Sequence, residues 1–170
     1  MRVLSIGVLC LFVAICAACE PQPQADSAAP NPATLTPDAI GYYCRMALVE
    51  HSGPQAQMYV EGEAEPIWFS QVRDAVVYLR SPEELRQATA IFVSDMATAP
   101  SWEEPGVDNW IPLESAHLVI ESARSGGMGA PEVVPFGTEG AAQAFVAQHG
   151  GRIVQLEDVP DSYVLSAMAM

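Results

Sequence analysis

The sequence predicts an α+β protein whose folded part consists of two tandem ββαβ units. A short apolar segment that ends in phenylalanine occurs at residues 65–69 and again at residues 132–136. A residue suited to cap a helix follows each copy, Ser70 in the first and Thr138 in the second. About ten residues with the pattern of a short amphipathic helix come next, and then a strand-like run. The same order in both halves indicates a repeated unit.

Further strand-like segments complete each unit. Residues 42–49 are predicted to form a strand before the first helix, and residues 116–121 are predicted to form the corresponding strand of the second half. Residues 89–93 and 152–156 are predicted to form the strands that follow the two helices. A chance likeness between two common strand–helix–strand segments is the alternative to a true repeat.

These segments divide the folded part into units at residues 38–97 and 113–162. The residues between them, 98–112, are rich in proline, glycine and tryptophan and are predicted to be an irregular connection. Residues 163–170 are apolar but show no pattern that would give them a partner, so they are predicted to be a frayed tail.

The N-terminus has the features of a bacterial lipoprotein signal peptide at residues 1–18. Arg2 supplies a positive charge, an apolar run continues to Cys16, and two alanines precede Cys19. We therefore expect Cys19 to be lipidated and to anchor the protein to the inner or outer membrane, on the periplasmic side. A plain secretory signal is the alternative. Residues 19–37 contain five prolines and are predicted to be a disordered tether.

The charge of the chain excludes one class of function. The sequence has 21 acidic residues against seven basic ones, for a formal net charge of −14. Such a surface repels the phosphate backbone of nucleic acids, so nucleic-acid binding is excluded. Acidity also attracts cations and basic partners, but many exported proteins are acidic for solubility alone, and this is the default interpretation.

The cysteine count singles out one thiol. Cys10 and Cys16 leave with the predicted signal and Cys19 is lipidated, so Cys44 is the only free thiol after export. Cysteines in oxidising compartments normally pair. An odd exported cysteine therefore indicates either a metal ligand or a buried, inert thiol.

The spacing of Cys44 and Met46 favours a metal site. On the predicted strand at 42–49, residues two apart point to the same side, so a thiol and a thioether would face one point. Both are soft ligands that favour Cu(I) over hard cations. On the same strand, Arg45 would point to the other side and so away from the metal.

A third soft ligand has several candidates. Met128 ranks first because it lies among glycines, which indicates a tight turn that displays its side chain. Met58 ranks second because it falls on a predicted strand, where methionine usually fills the core. The pair Met168 and Met170 ranks third, and His51 is a further candidate because it is close in sequence to Met46.

Several segments resemble the NosL family of nitrous oxide reductase accessory lipoproteins. The resemblance rests on Cys19, on Cys44-x-Met46, on Glu-Pro-Ile-Trp-Phe-Ser-Gln-Val-Arg-Asp at 65–74 and on Gly-Met-Gly-Ala-Pro-Glu-Val-Val-Pro-Phe at 127–136. It implies a periplasmic Cu(I) chaperone that delivers copper for assembly of the copper-sulfide centre of nitrous oxide reductase. The implied partners are that enzyme and its ABC-type maturation machinery.

The resemblance also implies the ligands and a fold. The family's ligands correspond to Cys44, Met46 and Met128, and its fold is two similar ββαβ units. Some relatives carry a second cysteine three residues before the motif and a glycine before the methionine, whereas this chain has Gly41 and Arg45 there. The fold is related to organomercurial lyase, but that chemistry needs a cysteine pair, so no activity is implied.

The sequence does not predict an enzyme, because it lacks the common nucleophile, phosphate-loop and zinc-protease motifs. Two alternatives to a copper chaperone remain. One is a metal-free lipoprotein interaction module with Cys44 as a core thiol, and the other is a hydrolase that uses Cys44 with His51. The predicted protein is a monomer, or a dimer in which two Cys44 thiolates share copper.

Overall fold

The computed structural model of the protein describes residues 30–165. The predicted signal peptide at 1–18, the predicted lipidation site Cys19 and residues 166–170 lie outside this range, as do Met168 and Met170. Within it, no helix has the length and apolar character needed to cross a membrane.

The first unit is built on a four-stranded antiparallel sheet. Its strands are β1 (Ala56–Val60), β2 (Ile67–Phe69), β3 (Ala88–Ser94) and β4 (Trp110–Pro112), in the order β2-β1-β3-β4. Helix α1 (Val72–Arg80) connects β2 to β3. Three small apolar side chains on one stripe of α1 are fully buried and hold the helix on the sheet: Val72, Ala75 and Val76.

The second unit repeats this order with three strands. These are β5 (His117–Ile120), β6 (Val134–Phe136) and β7 (Arg152–Val154), in the order β6-β5-β7, with α2 (Glu139–His149) between β6 and β7. Thr138 caps α2, since its hydroxyl accepts a hydrogen bond from the Ala141 N–H at 3.4 Å. The predicted α+β fold with two ββαβ units is therefore confirmed.

The two units share one apolar core. Met58 and Val76 of the first unit lie in the same buried cluster as Leu118 and Ile120 of the second. A short helix, α3 (Asp161–Leu165), adds the fully buried Val164 to this cluster. Loops from both units are therefore held in fixed positions at the junction.

The predicted strand at residues 42–49 is wrong. The segment forms a tight loop in which Ile40 pairs with Ala47, and the Gly41 N–H donates to the Met46 carbonyl at 2.9 Å. Arg45 at the tip has a positive φ of 59°. Tertiary contacts override the strand propensity of the tyrosines, because the Tyr42 ring packs 5.6 Å from that of Tyr78. The first strand of the unit is β1 instead.

Part of the predicted tether is packed on the folded body. Leu35 is 7% exposed and lies in a small apolar cluster with Leu48 and Trp110. The side-chain amide of Gln57 pairs with both backbone groups of Ala33, at 2.7 Å and 2.9 Å. Ordered contacts therefore begin before residue 38, because Leu35 gains apolar contacts there.

The predicted irregular connection at 98–112 and the predicted frayed tail at 163–170 both contain regular structure. The connection at 98–112 ends in β4, which pairs with β3 through Trp110 opposite Ser94. Residues 163–165 of the predicted tail belong to α3, where the Tyr163 hydroxyl donates to the Glu132 carbonyl at 2.9 Å. The partly buried Ile111 of β4 and the fully buried Val164 of α3 both pack on the shared apolar core, which orders these segments.

Candidate metal centre

Cys44 is presented by the tip of the loop at residues 40–47. Its side chain is partly exposed. Gly41 makes room for it, because a Cβ at that position would lie only 2.4 Å from the Cys44 Sγ. Glu84 holds the loop in place, because its carboxylate accepts hydrogen bonds from the hydroxyls of Tyr42 and Tyr43 at 3.0 Å and 2.9 Å.

Two side chains approach the Cys44 sulfur. The Ser70 hydroxyl lies 3.5 Å from Sγ and is placed to donate a hydrogen bond, and the His51 Nε2 lies 4.0 Å away. The other ring nitrogen, Nδ1, is 3.4 Å from the Gly127 carbonyl oxygen. With a proton on Nδ1 shared with that carbonyl, the lone pair of Nε2 faces the thiol and is available to a metal ion.

Met128 lies on a tight glycine loop from the second unit. The Gly129 N–H donates to the Gly126 carbonyl at 2.8 Å, and Gly129 has a φ of 78° that favours glycine. Gly127 packs against the first unit, since a Cβ there would lie 2.7 Å from the Cβ of His51. Met128 is 48% exposed, as expected for a displayed side chain.

Cys44 and Met128 border the same open cleft. It has a volume of about 400 Å³ and is lined by Tyr43, Cys44, Gln71, Arg73, Asp74, Met128 and Ala130. The two sulfur-bearing residues come from opposite units, and α1 lies between them. The cleft therefore brings together Cys44 and Met128, which are far apart in the sequence.

The remaining predicted ligands have different positions. Met46 follows Cys44 in the loop and is 43% exposed, but it is not among the residues that line the cleft. Because the segment forms a loop and not a strand, strand alternation does not place Met46 on the same side as Cys44. Met58 is fully buried on β1 in the shared core, which removes it as a ligand candidate.

Sequence reasoning missed two polar residues at the start of α1. Ser70 was assigned to cap the helix, but the cap position is Gln71 and the Ser70 hydroxyl reaches Cys44 instead. The Gln71 Oε1 accepts from the Met128 N–H at 3.2 Å, and its amide donates to the Asp74 carboxylate at 3.2 Å. No local pattern indicates these roles, because Ser70 lies 26 residues from Cys44 in the sequence and Gln71 lies 57 residues from Met128.

Burial changes the pKa values of two titratable groups that line the cleft, Asp74 and Tyr43. Burial raises the pKa of Asp74, although the hydrogen bond from Gln71 and the nearby Arg73 oppose this shift. Burial also raises the pKa of Tyr43, and Glu84 adds to the effect. Between residues 30 and 165, no three His, Cys, Asp or Glu side chains cluster closely enough to hold a metal ion.

Glu132 is the most strongly perturbed acid. It is fully buried, and burial raises its pKa from 4.5 to about 8 although its Oε1 accepts from the N–H groups of Arg73 and Val133. Its Oε2 has no hydrogen-bond partner among the described residues. The carboxyl group packs against Gly126 at the start of the Met128 loop, because a Cβ on Gly126 would lie 2.2 Å from Oε2.

We expect alkaline pH to destabilise the protein through Glu132. A pKa raised on folding gives stability that is complete below pH 4.5 and is lost as pH rises through about 8. The free energy of unfolding should fall by up to about 1.4 kcal/mol per pH unit in this window. Urea unfolding of Glu132→Gln should show a smaller fall than wild type, because the variant cannot titrate. Equal slopes in the two proteins between pH 5 and 8 would contradict the assignment.

The fold and the cleft together define an α+β protein with a candidate site for a soft metal ion. The site combines a thiol, an imidazole and a thioether, which is a donor set suited to soft metals. The NosL family model matches residues 32–164, so the chain belongs to the NosL family.

Individual relatives agree with this membership. The chain is 48% identical over 136 residues to the copper-binding lipoprotein NosL of Achromobacter cycloclastes, covering 79% of this chain and 70% of the relative. It is 26% identical over 129 residues to the protein of the same name from Stutzerimonas stutzeri, covering 76% and 66%. The crystal structure of the copper chaperone NosL from Shewanella denitrificans superposes with a TM-score of 0.72 at 26% identity, over 78% of this chain and 98% of that one.

Proposed function

We propose that the protein is a copper chaperone that binds Cu(I) between its two ββαβ units. Cys44, His51 and Met128 are the proposed ligands, and Met46 adds an exposed thioether from the same loop as Cys44. The observation that carries the proposal is the approach of the His51 imidazole to the Cys44 thiol, beside the cleft that Met128 borders.

The donor set explains the choice of metal. A thiolate and a thioether are soft ligands, and imidazole binds copper readily, so Cu(I) fits the site better than hard cations do. Cys44 must lose its proton to bind the metal, so affinity should fall as the solution becomes more acidic.

The exposure of the ligands suits a carrier. Met46 and Met128 are 43% and 48% exposed, and Cys44 is partly exposed at a loop tip. A partner protein could therefore replace the exposed sulfur ligands one at a time while His51, which is 7% exposed, stays in place. The same exposure disfavours the alternative of a metal-free module with Cys44 as a core thiol.

The names of the relatives support this assignment. They are described as copper-binding lipoproteins and as a copper chaperone, and none of these names denotes an enzyme. The pairing of Cys44 with His51 is also the arrangement of a nucleophile with its base, but the ring's other nitrogen faces a carbonyl oxygen in place of a carboxylate. Metal ligation is therefore the better explanation of this pair.

We further propose the cellular role implied by the family. The lipidated Cys19 would hold the protein on a periplasmic membrane surface, and the copper would serve assembly of the copper-sulfide centre of nitrous oxide reductase. The ABC-type maturation machinery of that enzyme would be the docking partner. The relatives' description as lipoproteins supports the anchor.

Copper transfer tests this role directly. The Cu(I)-loaded protein is incubated with metal-free nitrous oxide reductase, its maturation machinery and a sulfide donor, and nitrous oxide reduction is followed. We expect the loaded wild-type protein to restore activity and the Cys44→Ser variant to restore none. Equal activation by free Cu(I) at the same buffered concentration would contradict a chaperone role.

We expect Met128 and Met58 to differ sharply when each is changed to leucine. Met128→Leu should lower Cu(I) affinity roughly tenfold or more, about 1.4 kcal/mol, because leucine has no sulfur. Met58→Leu should leave the affinity unchanged, since it is a nearly isosteric change in the apolar core. Competition with a Cu(I) chelator measures both constants. Unchanged affinity in Met128→Leu would remove Met128 from the site.

A further inference from the structure

An apolar groove is present beside His51, separate from the metal cleft. It has a volume of about 270 Å³. Its walls come from the start of the described chain, the loop after Cys44 and the connection between the units, and consist mainly of Leu35, Val49, Pro100, Pro105 and Val107. Val49 and Val107 are exposed by 56% and 50%, so the groove is open to a partner.

Two carboxylates border the groove, and no described arginine forms an ion pair with them. Glu103 and Glu104 lie on its lining, which contains no arginine. Neither carboxylate takes part in an ion pair among the described residues. Arg124 stacks on the neighbouring Trp102, 4.2 Å from the ring centroid, and forms no ion pair with either carboxylate.

The floor of the groove holds an unpartnered acceptor. Gln55 lines the groove and is 2% exposed. Its amide nitrogen donates to the carbonyls of Leu48 and His51, which fixes the orientation of the amide group. Its Oε1 is buried and has no hydrogen-bond partner among the described residues. Because this oxygen has almost no accessible surface, a ligand in the groove would contact the apolar walls and the two carboxylates first.

The groove also touches the metal site through one side chain. His51 lines the groove, and its Nε2 lies 4.0 Å from the Cys44 Sγ. A segment bound in the groove would therefore contact the ring of a proposed copper ligand. Docking there would place a partner beside the loop that presents Cys44.

We propose that this groove binds an extended, arginine-bearing segment of the protein that exchanges copper with this chain. The proposal rests on the chaperone function proposed above. The aliphatic stem of an arginine fits the apolar walls, and its guanidinium pairs with the carboxylates of Glu103 and Glu104. Long-range attraction between an acidic chaperone and a basic partner segment would also speed their encounter.

Other occupants fit the charges less well. The chain's own residues 20–29 carry Glu20 and Asp26 and no basic residue. A second copy of the chain would also carry a net charge of −14 and would be repelled. An anionic membrane surface would be repelled by the two carboxylates.

A pair of capped pentapeptides tests the proposal. One has the sequence alanine-leucine-arginine-leucine-alanine, and the other carries citrulline, the uncharged shape analogue, in place of arginine. Each is titrated into the mature lipoprotein in neutral detergent while the backbone amide signals of Val49 and Val107 are followed by NMR. We expect only the arginine peptide to shift these signals strongly, with the citrulline peptide about fivefold weaker.

Charge variants locate the effect. The double variant Glu103→Gln/Glu104→Gln should weaken the arginine peptide about fivefold and leave Cu(I) affinity unchanged. The control Glu157→Gln/Asp158→Asn removes the same charge from the turn after β7 and should bind the peptide like wild type. Equal binding of both peptides, unaltered binding by the first variant, or equal weakening by the control would each overturn the proposal.

The outcome for the groove can be separated from the outcome for copper. Cys44→Ser should lose Cu(I) binding but keep the arginine peptide. Absence of Cu(I) binding in wild type with intact peptide binding would count against the chaperone function alone. Intact Cu(I) binding with no peptide-dependent shift of Val49 and Val107 would count against the groove alone.

Discussion

Replacing Cys44 with serine is expected to abolish tight Cu(I) binding. The thiolate is the strongest soft ligand of the proposed set, and a neutral hydroxyl oxygen is a poor ligand for Cu(I). We expect the affinity to fall at least about a thousandfold, or ~4 kcal/mol. Competition between the protein and a Cu(I) chelator measures the change. The fold should survive, because Cys44 is partly exposed and serine is nearly isosteric.

Ser70 provides the matched control for this variant. Its hydroxyl lies 3.5 Å from the Cys44 sulfur and donates a hydrogen bond to it. Because this contact is not a metal ligand, Ser70→Ala should change Cu(I) affinity by a small factor. The far-ultraviolet circular dichroism of both variants should match that of wild type. Wild-type copper affinity in a folded Cys44→Ser protein would show that the thiol is not a ligand.

Among the proposed variants, Arg73→Met should cause the largest loss of stability. Arg73 is 1% exposed, and its guanidinium donates to the Pro131 carbonyl at 2.9 Å and to the Val164 carbonyl. Methionine fills similar space but leaves both carbonyls without this donor. Because each buried group that loses its partner costs about 1–3 kcal/mol, the free energy of unfolding should fall by ~3 kcal/mol.

Arg152→Met is the control for Arg73→Met. Arg152 pairs with Glu121 on the surface at 3.1 Å, and both side chains are about half exposed. Such a pair contributes roughly 0–1 kcal/mol, so the control should be nearly as stable as wild type. Urea unfolding of both variants at pH 7 provides the comparison. A similar loss in the two would show that the buried contacts of Arg73 contribute little.

The Arg73 contacts also bear on the metal site. Pro131 follows the Met128 loop and Val164 belongs to α3, so one guanidinium connects α1 to two segments of the second unit. A looser loop would hold Met128 less firmly near Cys44. Some loss of Cu(I) affinity should therefore accompany the loss of stability.

Local patterns predicted most of the fold. The segments that end in Phe69 and Phe136 form β2 and β6, and a helix follows each of them in the structure. Thr138 caps α2 as its position before the helix indicated. These features depend on residues adjacent in sequence, which is why propensity and capping rules were sufficient for them.

The loop that carries Cys44 could not be predicted in the same way. Its tyrosines have high strand propensity, but their hydroxyls bind Glu84, about 40 residues further along the chain. The turn also requires a positive φ at Arg45, which sequence gives no reason to expect. Long-range packing therefore decided a segment that local pattern assigned to a strand.

The candidate site was predicted in part for related reasons. Cys44 and Met128 were selected because one is an unpaired exported thiol and the other lies among glycines, and the structure brings both to one cleft. His51 ranked lower because no local pattern shows that its ring lies between Cys44 and the Gly127 carbonyl of the other unit. Gly41 leaves the space that the Cys44 sulfur occupies.

X-ray absorption at the copper K-edge tests the proposed copper site most directly. The Cu(I)-loaded wild-type protein should show a first shell of sulfur atoms together with an imidazole nitrogen. The sulfur contribution should decrease in Met128→Leu, and the imidazole signal should disappear in His51→Ala. A shell of nitrogen and oxygen alone, or a spectrum that none of the ligand variants changes, would contradict a copper site between the two units.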